Sequence, residues 1–121
     1  MLDIIVDQHE SIGVKINVTG KLPPERDIAL VLVQILQEAA ANSVTHGYAN
    51  EVYTQFTENE NEYTMRVTDN GTRLVTYTKE GSGIAGMRRI VETLGGTLGI
   101  STDPRFTVTA EIPVWRVESG V

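Results

Sequence analysis

Between Pro24 and Gly47 apolar residues return at helical spacing: Ile28, Val31, Leu32, Ile35, Leu36, Ala39 and Val44. A stripe of this kind predicts a long amphipathic helix that must bury one face. Pro24 suits its first turn, Glu25 and Asp27 favour the positive end of its dipole, and Gly47 is a plausible stop. Directly afterwards, residues 51–57 and 62–68 alternate, with Val52, Thr54 and Phe56, then Tyr63, Met65 and Val67, on one side. The polar run Glu58-Asn59-Glu60-Asn61 joins them as a hairpin. A one-sided helix followed by a one-sided hairpin has few ways to hide both apolar faces. The economical one lays the helix on the hairpin's sheet.

The remaining segments fit that frame. Residues 12–19 predict a strand with Ile12, Val14, Ile16 and Val18 on one face, and residues 2–6 read as a short strand or the end of an incoming helix. Residues 85–94 predict a second amphipathic helix, with Met87, Ile90, Val91 and Leu94 inward and Gly95-Gly96 as its stop. Residues 97–101 and 107–112 read as two final strands around an Asp103-Pro104 turn, and residues 72–80 as mostly loop. The expected fold class is α+β: a two-layer sandwich, its mixed, mostly antiparallel sheet carrying helices on one face. One domain spans 1–121, with its core over about 12–114.

Bulk properties narrow the function. A net charge of −6 argues against nucleic acid or an anionic membrane as main partner. The absence of cysteine rules out a disulfide framework and a thiolate metal site. No uninterrupted apolar run reaches the roughly 20 residues that cross a bilayer, and the N-terminus lacks the basic start of a signal peptide. The expected location is cytoplasmic. If the chain is a receptor fragment, the membrane anchor lies in the full-length protein.

Three stretches carry chemistry. Glu38 and Asn42 are four apart on the long helix and share a face; Thr45 returns to nearly the same angle with His46 beside it. Ala39, Ala40 and Ala41 between them would let something large come close. An ordinary solvated polar stripe competes with that reading. Val67-Thr68-Asp69-Asn70-Gly71 is a strand running into an acidic turn, though Asp-Asn-Gly is also a common hairpin signal. Gly81, Gly83 and Gly86 precede or open the second helix, whose N–H groups and dipole would face a phosphate. A dinucleotide-binding fold competes here, but it needs parallel β-α-β repeats, and this chain supplies a hairpin before the glycines and too little after them.

In this order the three stretches resemble the N, G1 and G2 boxes of the ATPase superfamily shared by histidine kinases, gyrases and mismatch-repair proteins. The segment from Gly81-Ser82-Gly83-Ile84-Ala85-Gly86-Met87 through Leu98 is similar almost throughout to the G2 segment of sensor histidine kinases that partner helix-turn-helix response regulators. The resemblance implies a Bergerat-type ATP-binding fold and a catalytic domain that transfers the ATP γ-phosphate to a histidine on dimerising helices outside this chain. It implies Glu38 as the catalytic base and Asn42 as the magnesium ligand, with Thr45, His46, Asp69, Gly71, Gly81, Gly83, Ile84, Gly86, Met87 and Thr107 around ATP. Asp69 would accept a hydrogen bond from the adenine amino group, where guanine presents an acceptor. The implied partners are ATP with Mg2+, those helices, and a response regulator met through the full-length protein. The fragment itself is expected to be monomeric and unable to label itself. Some positions depart from the family pattern. Arg73 stands for a second glycine, Thr45 for a common lysine, and Arg105-Phe106 for a glycine and a threonine near the base, which leaves Thr107 as the substitute. The alternative function is a stand-alone nucleotide-gated regulator, either an anti-sigma-like serine kinase or a non-catalytic ATP-binding module.

Overall fold

A computed structural model describes residues 2–71, 82–101 and 105–114. The described elements run α1 (Leu2–Glu10), β1 (Lys15–Thr19), α2 (Arg26–Gly47), β2 (Glu51–Glu58), β3 (Glu62–Asp69), α3 (Ser82–Thr93), β4 (Thr97–Ser101) and β5 (Thr107–Pro113). The five strands form one sheet in the order β1-β2-β3-β5-β4, with β1 parallel to β2 and every other neighbour antiparallel. This is the mixed, mostly antiparallel sheet that the alternating segments predict.

Strand alternation divides the sheet into two unlike faces. Ile16, Val52, Phe56, Tyr63, Met65, Val67, Leu98, Val108, Ala110 and Ile112 are buried on the inner face. They share one core with Ile28, Leu32, Ile35, Leu36, Ala39 and Ala40 of α2 and with Met87 and Val91 of α3. The outer face carries Asn17, Thr19, Gln55, Thr64, Arg66, Thr68 and Thr109, with Tyr53 as its one large ring among the described residues. Among the described residues the helices therefore cover one face only. By length and composition α2 could cross a membrane, with a mean hydropathy of 1.2 over Arg26–Val44. Here its apolar stripe is spent on the sheet.

Several boundaries differ from the sequence reading, each for a local reason. Residues 2–6 belong to a helix, and α1 extends to Glu10. The first strand begins at Lys15 rather than at residue 12. Gly13 takes a φ of +82°, and the amide of Val14 turns back to the His9 carbonyl at 2.8 Å, so Ile12 is thrown out to 67% exposure. His9 lies in the last turn of α1, where its Nδ1 is 2.8 Å from the Ile5 carbonyl oxygen. Gly47 stays helical, and it is Tyr48 that ends α2 in the left-handed region, at φ 56° and ψ 36°, its N–H bonded to the Ser43 carbonyl. α3 begins at Ser82, three residues before the predicted start. It closes as predicted, with Gly95 at φ 78° and the Gly96 amide donating to Val91 at 3.0 Å. Ile90, read as inward, is 40% exposed. The predicted loop at 72–80 and the Asp103-Pro104 turn lie outside the described residues.

Candidate functional site

Asp69 is the last residue of β3 and continues the inward series of Tyr63, Met65 and Val67, so its carboxylate faces the helical layer. It is only 4% exposed. Oδ1 accepts the Gly71 amide at 2.7 Å, a local turn that glycine permits. Oδ2 is buried and has no hydrogen-bond partner among the described residues. A buried carboxylate oxygen left in this way costs free energy in the empty protein. That cost is expected where a ligand supplies the missing donor.

Glu38 and Asn42 lie half-buried on α2, one turn apart, as their spacing requires. No side-chain hydrogen bond of either is seen among the described residues. Ala39 and Ala40 do not form the approach surface that their small size suggests. Both are fully buried against the sheet and leave Ala41 exposed. Their size brings α2 close to the strands instead. Thr45 and His46 fall within the last turn of α2, and their side chains lie outside the described ones.

Gly81 lies outside the described residues. Gly83 and Ile84 sit in the first turn of α3, where side chains are likewise not described. Gly86 is informative. A Cβ built on it meets no atom of the described residues within 4 Å, so packing among them gives no reason for a glycine there. A glycine inside a helix costs about 1 kcal/mol relative to alanine. Gly96 is the contrast, because a Cβ there would run into the Glu111 carbonyl oxygen. Met87, one residue beyond Gly86, is buried in the core.

Thr107 is not brought to Asp69. It pairs with Thr68 across the sheet, on the series opposite to Val67 and Val108, and its hydroxyl donates to the Arg105 carbonyl at 3.1 Å. The inward residue beside the end of β3 is Phe106, 3% exposed and part of the core. An apolar neighbour stands where a hydroxyl would help a base-binding carboxylate. Arg105 reaches back to the end of β3, with Nη1 3.3 Å from the Asp69 carbonyl oxygen.

Reasoning from the sequence missed Asn70. Its Oδ1 accepts the amides of Asn50, at 3.1 Å, and Glu51, at 2.9 Å, and its Nδ2 donates to Asn50 Oδ1 at 2.6 Å. Two convergent N–H groups require an oxygen at that position, which fixes the amide's orientation. The Asp-Asn-Gly string announces a turn but gives no sign of this partner 20 residues away.

Two cavities elsewhere do not include Asp69. One of about 330 Å³ lies on the outer face between Asn17, Tyr53 and Arg66, and one of about 200 Å³ lies beside Ile28, Leu94 and Ile112 at the far end of the sandwich. No group of three or more metal-ligating side chains occurs among the described residues.

The profile of the histidine kinase-, DNA gyrase B-, and HSP90-like ATPases matches residues 27–116. The signal transduction histidine-protein kinase/phosphatase DegS of Brevibacillus brevis is 34% identical over 119 residues, which cover 93% of this chain. The chain spans only 30% of the length of that relative. The ATP binding domain of PrrB from Mycobacterium tuberculosis has a TM-score of 0.72 at 19% identity, covering 95% of this chain and 92% of that one. The blue-light activated histidine kinase of Erythrobacter litoralis EL346 gives a TM-score of 0.69 at 22% identity, covering 93% of this chain and 40% of the other. At these identities the structural likeness speaks for the fold.

Proposed function

The chain belongs to the histidine kinase-, DNA gyrase B-, and HSP90-like ATPase family, and from that premise we propose that it is the ATP-binding catalytic domain of a two-component sensor histidine kinase. The observation that carries the reading is the buried Asp69, one carboxylate oxygen tied to its own turn and the other without a donor among the described residues. The adenine amino group is such a donor, whereas guanine presents a carbonyl at the same place and would meet the carboxylate as acceptor against acceptor. Gly86, with open space where its side chain would be, supports a close approach of ligand to α3.

Glu38 is assigned the role of general base toward the attacking group, and Asn42 that of a magnesium ligand on the same helix face. Magnesium keeps waters and phosphate oxygens and takes few protein ligands, so a single side-chain oxygen here fits its chemistry. When bound, the ion neutralises phosphate charge during transfer. Thr45, His46, Gly71, Gly81, Gly83 and Ile84 complete the proposed surround of ATP. The acceptor histidine belongs to dimerising helices outside this chain, and a response regulator takes the phosphoryl group onward. A domain that works this way does so in the cytoplasm.

The chain has two histidines of its own. His9 lies in the last turn of α1, which packs on the edge strand β1, and His46, in the last turn of α2, is assigned to the surround of the phosphates, where no in-line approach is open to it. The isolated chain should therefore bind Mg-ATP without labelling itself. Incubation with ATP radiolabelled at the γ-phosphate, with and without the dimerising helices added separately, tests this. Acid-labile label on the added helices is expected. Acid-labile label on the isolated chain that disappears in His9→Ala would overturn the division of labour, and acid-stable label on a serine would overturn the histidine kinase reading.

A further inference from the structure

We infer that Asn70 is a positioning residue for nucleotide recognition, holding the Asp69 turn in register with the helix that carries Glu38 and Asn42. The inference rests on the reading of Asp69 as the base-selecting group. Asp69 ends β3, while Glu38 and Asn42 lie on α2, and a ligand that bridges them needs their separation fixed.

The fixing can be followed bond by bond. The Ser43 carbonyl, next to Asn42, accepts the amides of Tyr48 and Ala49, the latter at 3.0 Å, and so holds the exit of α2 against its last turns. Ser43 itself is buried, which sets this anchor within the packed interior. The next residue, Asn50, is gripped by Asn70 at both its amide and its side-chain oxygen. Asn70 also receives the Glu51 amide on Oδ1 and donates its own amide to the Glu51 carbonyl at 3.1 Å. On the far side, the Lys15 amide donates to the Asn50 carbonyl at 2.9 Å and ties the same residue to β1. Asp69 is the immediate neighbour of Asn70. One side chain thus joins the end of β3, the start of β2 and the exit of α2.

The clamp is poorly placed to serve global stability. Asn50 is exposed and Asn70 half-exposed, and hydrogen bonds in contact with water add little net stability. Their value lies in geometry, since a carboxylate that must meet one amino group loses discrimination when its turn wanders.

The test measures affinities for ATP and for inosine triphosphate, which carries a carbonyl in place of the amino group, together with the melting temperature. Asn70→Ala should weaken ATP binding about tenfold and shrink the preference for ATP over inosine triphosphate by a similar factor, with little change in melting temperature. Asn50→Ala should have a smaller effect that vanishes in the Asn70→Ala background, because both report one clamp. Equal losses for the two nucleotides, in step with a lowered melting temperature, would make Asn70 merely structural and overturn the inference. Asp69→Asn separates the two levels. If it leaves the ATP preference intact, the base site is elsewhere and both readings fail. If it abolishes the preference while Asn70→Ala does not, only the positioning role fails.

Discussion

Asp69 accepts the Gly71 amide hydrogen on Oδ1 at 2.7 Å while its other carboxylate oxygen is buried without a hydrogen-bond partner among the described residues. Asp69→Asn keeps an oxygen for Gly71 and replaces the unpartnered one by an amide. The stability of the protein without nucleotide should change little, because the amide's N–H groups would be buried and unpartnered where the carboxylate oxygen was. ATP binding should weaken by about 1.5–3 kcal/mol, the range for a hydrogen bond to a charged group. Calorimetry and melting of both proteins check the pair of outcomes. A variant that melts earlier yet binds ATP as well as the parent would remove Asp69 from the site.

Gly86 and Gly96 should respond oppositely to alanine. Gly86→Ala meets open space and improves helix propensity, so α3 gains about 0.5–1 kcal/mol while ATP binding falls. Gly96→Ala drives a methyl group into the Glu111 carbonyl and should cost about 1–3 kcal/mol. Urea titrations with and without ATP read both; tighter ATP binding by Gly86→Ala would contradict the close approach.

Binding and chemistry should separate along α2. Glu38→Gln preserves shape, so ATP affinity survives while phosphoryl transfer to the dimerising helices falls by about 10²–10⁴. Asn42→Ala should abolish the magnesium dependence of binding. Single-turnover transfer assays decide the first and titrations with and without magnesium the second. Wild-type transfer by Glu38→Gln would end its assignment as base.

The far end of the sandwich offers a control. The Tyr63 hydroxyl lies 3.0 and 2.7 Å from the two Glu25 carboxylate oxygens, tying β3 to the residue that caps α2. Tyr63→Phe should therefore cost about 1.5 kcal/mol of stability and leave the ATP affinity of the folded protein untouched. An ATP affinity that fell with it would mean that the two ends are coupled.

The fold was legible wherever periodicity was long. The stripe from Ile28 to Ala39 and the alternation through Tyr63, Met65 and Val67 are each repeated enough to set a face, and both faces are buried as read. Ile12 misled because one residue of apparent alternation cannot show that Gly13 turns the chain. Tyr48 misled differently: a glycine beside it is the better left-handed residue, yet the bond to Ser43 selects the position after it. Asp69 could be singled out from its turn and neighbouring boxes, but its unpartnered oxygen could not. Nor could the clamp on Asn50, since cross-chain hydrogen bonds leave no local pattern. Thr107 came from the resemblance, as the substitute for a family threonine near the base, and the β3–β5 register turns it to the other face.

The parallel pairing of β1 with β2 has a kinetic side. Lys15 meets Glu51 only after the whole of α2 has been threaded between them, whereas β2 and β3 meet through a short turn at Asn59. Loop closure of the longer kind is slower and is rewarded later, so the hairpin is expected to form early and β1 to dock late. Ile16→Val should then speed unfolding while barely slowing refolding, which a denaturant chevron would show. The Asn50 loop, held from one side by Asn70 and from the other by Lys15, would be completed in two stages: it is seated by the hairpin first and sealed by the arriving edge strand afterwards.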